Sequence, residues 1–459
     1  MRSGGSALQR KKGWTVVVAS ATLAVCFTTA GAENLLDVYN SALRSDPIIR
    51  EANARRNASM EAKPQAWSYL LPQLRVVGTG THDELTRTDV TQRQKTQADV
   101  TGYAVQLSQS VFDWAQWMVL KRADTQVAQA AMDYRISEQD LIYRTALRYF
   151  DVLAAQETVE ASEAAVTALE RQLDETQKRF AVGLSAVTDV EESRSARDIA
   201  VADLIAAKRV LARTWELLRE LTDTPISSLA APSDEMPLEP PQPQNPEAWV
   251  TEAVAHSPVL NSTRLGATIA EQEVKIAKAE HLPTLALVAS QSRSLQAGPR
   301  TTATASGISY APADLGLTDR SISLQLSVPL YSGGYISSRV REREHLESAA
   351  NDRVERVTRE TEHSIRDAYL GVLSGISRVT ALKQAVSSSK TALQATEKGF
   401  AVGTRTTVDV LNARRRLYEA QTSYARTRYD YIVSRIVLKL TAGTLTGSDL
   451  AEINDWLLQ

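Results

Sequence analysis

Cysteine is nearly missing: the 459 residues contain one, Cys26. It lies in a segment that reads as removable, so disulfides are not expected to hold the remaining chain together. No apolar run approaching 18 residues occurs after residue 32, which excludes a membrane-spanning helix in the mature chain. If the chain enters a membrane, it does so as strands. A formal charge of −2 leaves no basic excess for nucleic acid. The five histidines lack ligand spacing and have no cysteine partners in the mature chain, so neither a metal nor a cofactor is expected. No phosphate loop, nucleophile triad or paired carboxylates with a plausible pocket can be read, and no enzyme is expected. Glycine and proline are missing from residues 114–180, and only Gly371, Gly375 and Gly399 interrupt residues 335–400.

Residues 1–32 have the form of a signal peptide. A basic start (Arg2, Arg10, Lys11, Lys12) precedes an apolar run over 14–27 and the small-residue site Ala30-Gly31-Ala32. The run is too short for a bilayer span. Valine in "LAVC" stands where a lipoprotein signal wants a small residue, which argues against a lipid anchor on Cys26. Removing the leader takes away four basic residues and moves the charge from −2 to −6.

The rest of the chain is written twice. "SDPIIREANARR" is echoed by "HSPVLNSTRLGA", "LPQLRVV" by "LPTLALV", "VQLSQSVF" by "LQLSVPLY", and "YFDVL" by "YLGVL", in the same order. "KRFAVGLSAVTDV" from Lys178 returns as "KGFAVGTRTTVDV" from Lys398. An internal tandem duplication is expected, with repeats over 33–222 and 258–459. Proline-rich residues 223–257 join them, a segment unsuited to a regular helix or central strand.

Each repeat reads as helix, strand, loop, strand, very long helix, tight turn, long helix. The first helix starts at Asp46-Pro47 and at Ser257-Pro258, a capping residue followed by proline, and runs about 24 residues. Strands are expected at about 73–82, 100–112, 284–292 and 320–331. In the last, Ile322, Leu324, Leu326, Val328 and Leu330 alternate with polar residues. A half-buried sheet over a soluble core is the ordinary meaning of such a pattern, but little else in the chain would form that core. Trp67, Tyr69, Phe112, Trp114, Trp117, Tyr331 and Tyr335 gather where strands meet helices, as in an interfacial girdle. The polar loops at 83–99 and 293–319 would face outside the cell. Four strands cannot close a barrel and open edges are not tolerated in lipid, so three chains supplying about twelve strands are expected.

The glycine-free run 114–180 makes a helix of about 100 Å. It begins a helical hairpin at about 114–222 with its tip at 180–189. The second hairpin spans about 335–442, with its tip at 400–409. Leu204, Leu211 and Leu218, and Val410, Leu417, Tyr424, Tyr431 and Leu438, recur every seven residues, a seam for antiparallel coils. Gly183 and Gly403 would reverse the chain at the tips.

The phrases "RFAVGLSAVTDV", "GFAVGTRTTVDVLNARRRLY", "LSQSVFDWAQW", "HLPTLAL", "VPLYSGG" and "AGTLTGSDLAEIN" resemble the TolC family of outer-membrane efflux channels, closest to its TolC subgroup. The resemblance covers essentially the whole mature chain. It implies a mainly α protein with membrane β: a long antiparallel coiled-coil helical barrel joined to a trimeric twelve-stranded transmembrane β-barrel, four strands per chain. It further implies a homotrimer in outer-membrane lipid, with a tunnel across the periplasm. The partners would be a periplasmic adaptor and an inner-membrane pump, ABC-type or proton-driven, and the cargo drugs, toxins or secreted proteins.

By the same resemblance the adaptor would dock at Arg179, Val182, Gly183 and Leu184 and at Val402, Gly403 and Thr404. Asp189 with Arg405 would lock the closed state, and Asp409 would form a carboxylate ring in the aperture. Two positions depart from the family pattern. Phe400 replaces a tyrosine that hydrogen-bonds the locking aspartate, and Asn412 replaces a second ring aspartate; a weaker gate and weaker cation block follow. Asp189 and Asp409 are equally readable as helix caps after a glycine turn. Arg414, Arg415 and Arg416 read as a solvated helix face. The rival readings are a coiled-coil envelope spacer, which leaves the alternating strands unexplained, and a periplasmic adaptor, which has one hairpin and soluble β-domains.

Overall fold

The computed structural model describes residues 32–232, 236–312 and 314–457. The leader expected over 1–32 lies outside them but for its last residue. The described chain opens with α1 (Leu35–Ser45), capped by Asn34, whose Oδ1 accepts from the Asp37 amide at 2.9 Å. Asp46 caps α2 (Pro47–Met60), and α3 (Ala62–Ser68) follows. The single helix expected here is interrupted because Pro64 has no amide to give to the Met60 carbonyl.

Two strands come next, β1 (Gln73–Thr88) and β2 (Gln92–Phe112), and then the rods α4 (Trp114–Ala181) and α5 (Val187–Thr222). The 68 residues of α4 make about 100 Å of continuous helix. The linker expected over 223–257 is irregular in its described residues before Asn245, 223–232 and 236–244. It ends in α6 (Pro246–His256), which Asn245 caps and Pro246 opens. Asn245-Pro246 is the same start signal as Asp46-Pro47.

The second half repeats the order: α7 (Pro258–Ala279), β3 (Thr284–Ala297), β4 (Pro299–Thr304), β5 (Gly307–Pro312), β6 (Leu315–Ser327), α8 (Tyr335–Ala401), α9 (Thr407–Ala442) and α10 (Gly447–Asn454).

The sheet is antiparallel and has six strands where four were expected. The expected loops 83–99 and 293–319 are largely strand. β1 and β2 stay paired out to Thr88 and Arg93, and Lys95 reaches Glu84 across the ladder at 2.5 Å. β4 and β5 form a second hairpin, with β4 paired to the far end of β2. β3 and β4 run along the same side of β2 and part only at Gly298, where φ is +152° and a Cβ would lie 2.1 Å from the Gln97 carbonyl. β6 stops at Ser327 instead of running to 331, since Pro329 cannot extend the ladder.

Register places Leu74, Leu107, Ala289 and Ile322 side by side, with Leu287 beside Leu324 and Leu285 beside Leu326 on the same face. Among the described residues nothing covers that face: Ile322 is 81 % exposed and Leu324 64 %. The soluble-core meaning of the alternation therefore fails, because there is no core beneath the sheet.

Below the sheet α7 lies against α4 and α8, and farther along α9 lies against α4 and α8. The main core sits around the middle of the rods, where α1, α6, α10 and the linker wrap them. It is built on Tyr149, Phe150, Ile365, Tyr429, Tyr431 and Leu450. Among the described residues no helix is long and apolar enough to cross a membrane.

Candidate functional site: the hairpin tips

The two tips are made by one backbone device. At the end of α4 the Gly183 amide donates to the Phe180 carbonyl at 2.9 Å and the Leu184 amide to Arg179 at 2.8 Å. At the end of α8 the Gly403 amide donates to Phe400 at 3.1 Å and the Thr404 amide to Gly399 at 2.9 Å. Both pivots are left-handed, with φ +76° at Gly183 and +79° at Gly403, which any side chain would strain. Beyond them the chain exposes apolar surface: Val182 is 69 % exposed, Leu184 70 % and Val402 75 %. Exposed apolar side chains clustered at a rod's end are what a docking partner covers.

The return helices are capped differently. In α9 the Asp409 amide donates to Thr406 Oγ1 at 3.2 Å, and the Thr406 amide donates back to Asp409 Oδ2 at 2.9 Å, a reciprocal box. In α5 the cap position is Ala186, which has no side-chain oxygen. There Asp189 accepts from the Ala186 amide at 3.1 Å and from the Ser185 hydroxyl at 2.7 Å. The Thr406 backbone bond, then its hydroxyl, and least the nearby Arg405, hold the Asp409 carboxyl below the usual aspartate range.

Both aspartates thus act as caps, as the plainer reading of the sequence has it. Among the described residues Asp189 and Arg405 form no ion pair within one chain; Arg405 is exposed and its stem lies against Gly399. Asn412 stands one turn into α9 and accepts from Arg415 at 3.4 Å. Arg414 is not simply solvated: it pairs with Glu397 of α8 at 2.6 Å and ties the second coil together.

Two contacts were not foreseen. Ser185 serves Asp189, though a serine four residues before a helical aspartate is visible in the sequence. Arg179 places its guanidinium 4.7 Å from the centre of the Phe400 ring. That contact joins residues 221 apart on two helices, and nothing in the sequence pairs them.

A groove of about 500 Å³ runs between the two hairpins above the tips. Its floor is alanine from α4 (Ala161, Ala165, Ala168), with Glu192 and Asp203 of α5 on one wall and Arg415 of α9 on the other.

Comparison with known proteins agrees with this architecture. The model of the outer membrane efflux protein family matches residues 38–224 and 249–444. The chain is 34 % identical over 435 residues to outer membrane protein TolC of Vibrio cholerae serotype O1, covering 95 % of this chain and 96 % of that one. It is 29 % identical over 427 residues to the alkaline protease secretion protein AprF of Pseudomonas aeruginosa, covering 92 % and 86 %. The outer membrane protein VceC of Vibrio cholerae superposes with a TM-score of 0.71 over 89 % of this chain and 96 % of that one, at 18 % identity. The chain belongs to the outer membrane efflux protein family and is an outer-membrane channel of efflux or type I secretion, with its helical part in the periplasm.

Proposed function

We propose that three copies of this chain, each a tandem duplication, assemble into a closed β-barrel of twelve strands above a tunnel of helices, each chain supplying four crossings because β4 continues β3 along β2 and β5 continues β6. The observation that carries this is the bare sheet. One chain exposes a lipid-like apolar face and leaves β1 and β6 each with an unpaired edge, so the sheet is complete only when neighbours pair those edges. The band of Leu74, Leu107, Leu324 and Leu326 faces lipid, and Trp67, Trp114, Trp117 and Tyr331 sit at the periplasmic interface. A coiled-coil spacer or an adaptor has no use for such a sheet.

The conduit performs no chemistry, and an inner-membrane pump, ABC-type or proton-driven, supplies the energy. A periplasmic adaptor docks at Arg179, Val182, Gly183 and Leu184 and at Val402, Gly403 and Thr404, the apolar tips. Asp189 and Arg405 pair between tips when the chains converge, and the pairing holds the aperture shut. Three Asp409 carboxylates then form a single acidic ring, with neutral Asn412 above it, favouring cations over anions.

The reading is tested with purified protein in planar bilayers and with a deletion strain. A heat-modifiable trimer with a narrow resting conductance, together with hypersensitivity to drugs or loss of a secreted protein, is the expected result. A soluble monomer with no conductance overturns it.

The pH dependence of cation block follows from the caps. Because Asp409 is held below the ordinary 3.8, its charge and its contribution to the cap are present above that value and vanish as pH falls through the lowered one. In the ring the cap lowers each Asp409 while its two neighbours raise it, so block by a trivalent cation is expected to stay constant at neutral pH and to fade in the ordinary carboxylate range. Loss of block between pH 7 and 5 would place another group in the aperture. Asp409→Asn should abolish block at every pH, since one ring carries it.

A further inference from the structure

We propose that Arg179 and Phe400 form a clasp between the two hairpin tips of each chain, and that this clasp helps keep the tunnel entrance closed. The inference rests on the tunnel reading above. Phe400 carries no hydroxyl, which by itself suggests a looser gate. The ring is nevertheless engaged: the guanidinium of Arg179, in the last turn of α4, lies 4.7 Å from its centre. That is within the range at which a flat, weakly hydrated guanidinium is held by an aromatic face. Glu175, one turn back, places a carboxylate oxygen 3.9 Å from the same guanidinium. The Arg179 side chain is 32 % exposed, whereas that of its neighbour Lys178 is 75 % exposed.

The contact is one-sided. Phe180 is the counterpart of Phe400, yet it is 46 % exposed, and among the described residues no cation lies over its ring. The counterpart of Arg179 is Gly399, where even a Cβ would come within 2.8 Å of Arg405 Cγ and 3.2 Å of Thr404 Oγ1. The second hairpin therefore cannot return the clasp. Its glycine instead makes room for the Arg405 stem beside the clasped ring.

Farther up the rods the hairpins are joined by Ser162 with Tyr418 and by Glu157 with Arg428 and Tyr429; at the tips the described residues are joined by this contact, made by a residue that also stands beside the exposed apolar tip. A docking partner that offers Arg179 a carboxylate competes with Phe400 for it. Docking and release of the second tip become one event, while the α4–α9 contacts higher up stay in place.

The test is resting conductance of trimers in planar bilayers, with heat-modifiable mobility confirming that each variant assembles. One exposed cation–π contact shifts an equilibrium by about two- to five-fold, so three acting together shift it by about ten- to a hundredfold. Phe400→Leu and Arg179→Gln are each expected to raise open probability by that amount. Phe400→Trp, which keeps an aromatic face, should stay closed, and the double variant should open no more than either single one. Unchanged conductance in Phe400→Leu, or single effects that multiply in the double variant, would overturn the clasp. A wild-type trimer with no conductance at all would overturn the channel reading and the clasp with it.

Discussion

Leu324→Arg is expected to remove the protein from the outer membrane, while Ser323→Arg, one residue away, leaves it there. Successive residues of β6 point to opposite faces. Leu324 lies beside Leu287 on the apolar face and is 64 % exposed in the single chain. It falls within an alternation of Ile322, Leu324 and Leu326 that covers about 13 Å of strand at 3.3 Å per residue and is continued past the strand by Val328 and Leu330. An arginine on the lipid face near the midplane costs about 2–4 kcal/mol. Three copies bring this to about 6–12 kcal/mol, comparable to the whole net stability of an ordinary domain. Ser323 faces the other way, with its hydroxyl 3.4 Å from the Val288 carbonyl, into what the proposed barrel makes a water-filled lumen. An arginine there remains hydrated. Membrane fractionation and heat-modifiable gel mobility separate the outcomes. Equal loss in both variants would mean that both faces are packed against protein, and the barrel would be wrong.

How much of this was legible depended on whether one residue's environment differed from its neighbour's. Alternation marked β6 because lipid and water lie on opposite sides of it. It faded beyond His82 and Arg293, where both faces meet water. The strands continue there on cross-strand partners such as His82 with Asp99 and Lys95 with Glu84, which carry no periodic signal. The rods announced themselves by lacking breakers, and the tips by glycine where φ must be positive. The helix α6 was concealed by the prolines before it, although Asn245-Pro246 repeats the start signal read correctly at Asp46-Pro47. Asp189 and Asp409 show the limit at the site itself. An aspartate three residues past a turn is a cap by local chemistry, whatever further part it plays when chains meet. The Arg179–Phe400 contact was illegible for a different reason: it depends on how two coils lean together.

Tyr149→Ala should destabilise each chain by about 3–5 kcal/mol, the usual cost of truncating a fully buried aromatic. "YFDVL" first drew notice only as a repeated phrase, and its tyrosine proves to be where the middle of the molecule is tied. Tyr149 is 0 % exposed, and its ring meets Phe150 edge-on at 5.4 Å. Phe150 in turn stacks on Tyr429 of α9 at 5.9 Å. The Tyr149 hydroxyl donates to the Ala230 carbonyl at 2.6 Å, with the Glu33 carbonyl 3.2 Å away. It thereby fastens the segment before α1 and the linker, which are bridged at Glu33 and Leu229, onto α4. Burial pushes its pKa far above the ordinary 10, so it stays a donor at every physiological pH. Tyr149→Phe keeps the packing and loses only the strap, so it should cost about 1–2 kcal/mol by leaving the Ala230 carbonyl unpaired, while the Glu33 carbonyl keeps the Ala230 amide. Its counterpart Tyr369 is also buried, but among the described residues its hydroxyl makes no hydrogen bond, and Tyr369→Phe should be nearly neutral. Thermal denaturation in detergent, with protease cleavage of residues 223–245 as a local readout, measures all three. If Tyr149→Phe and Tyr369→Phe behaved alike, the hydroxyl strap would hold nothing. If Tyr149→Ala left the linker protected, the girdle would be anchored from α9 and not from α4.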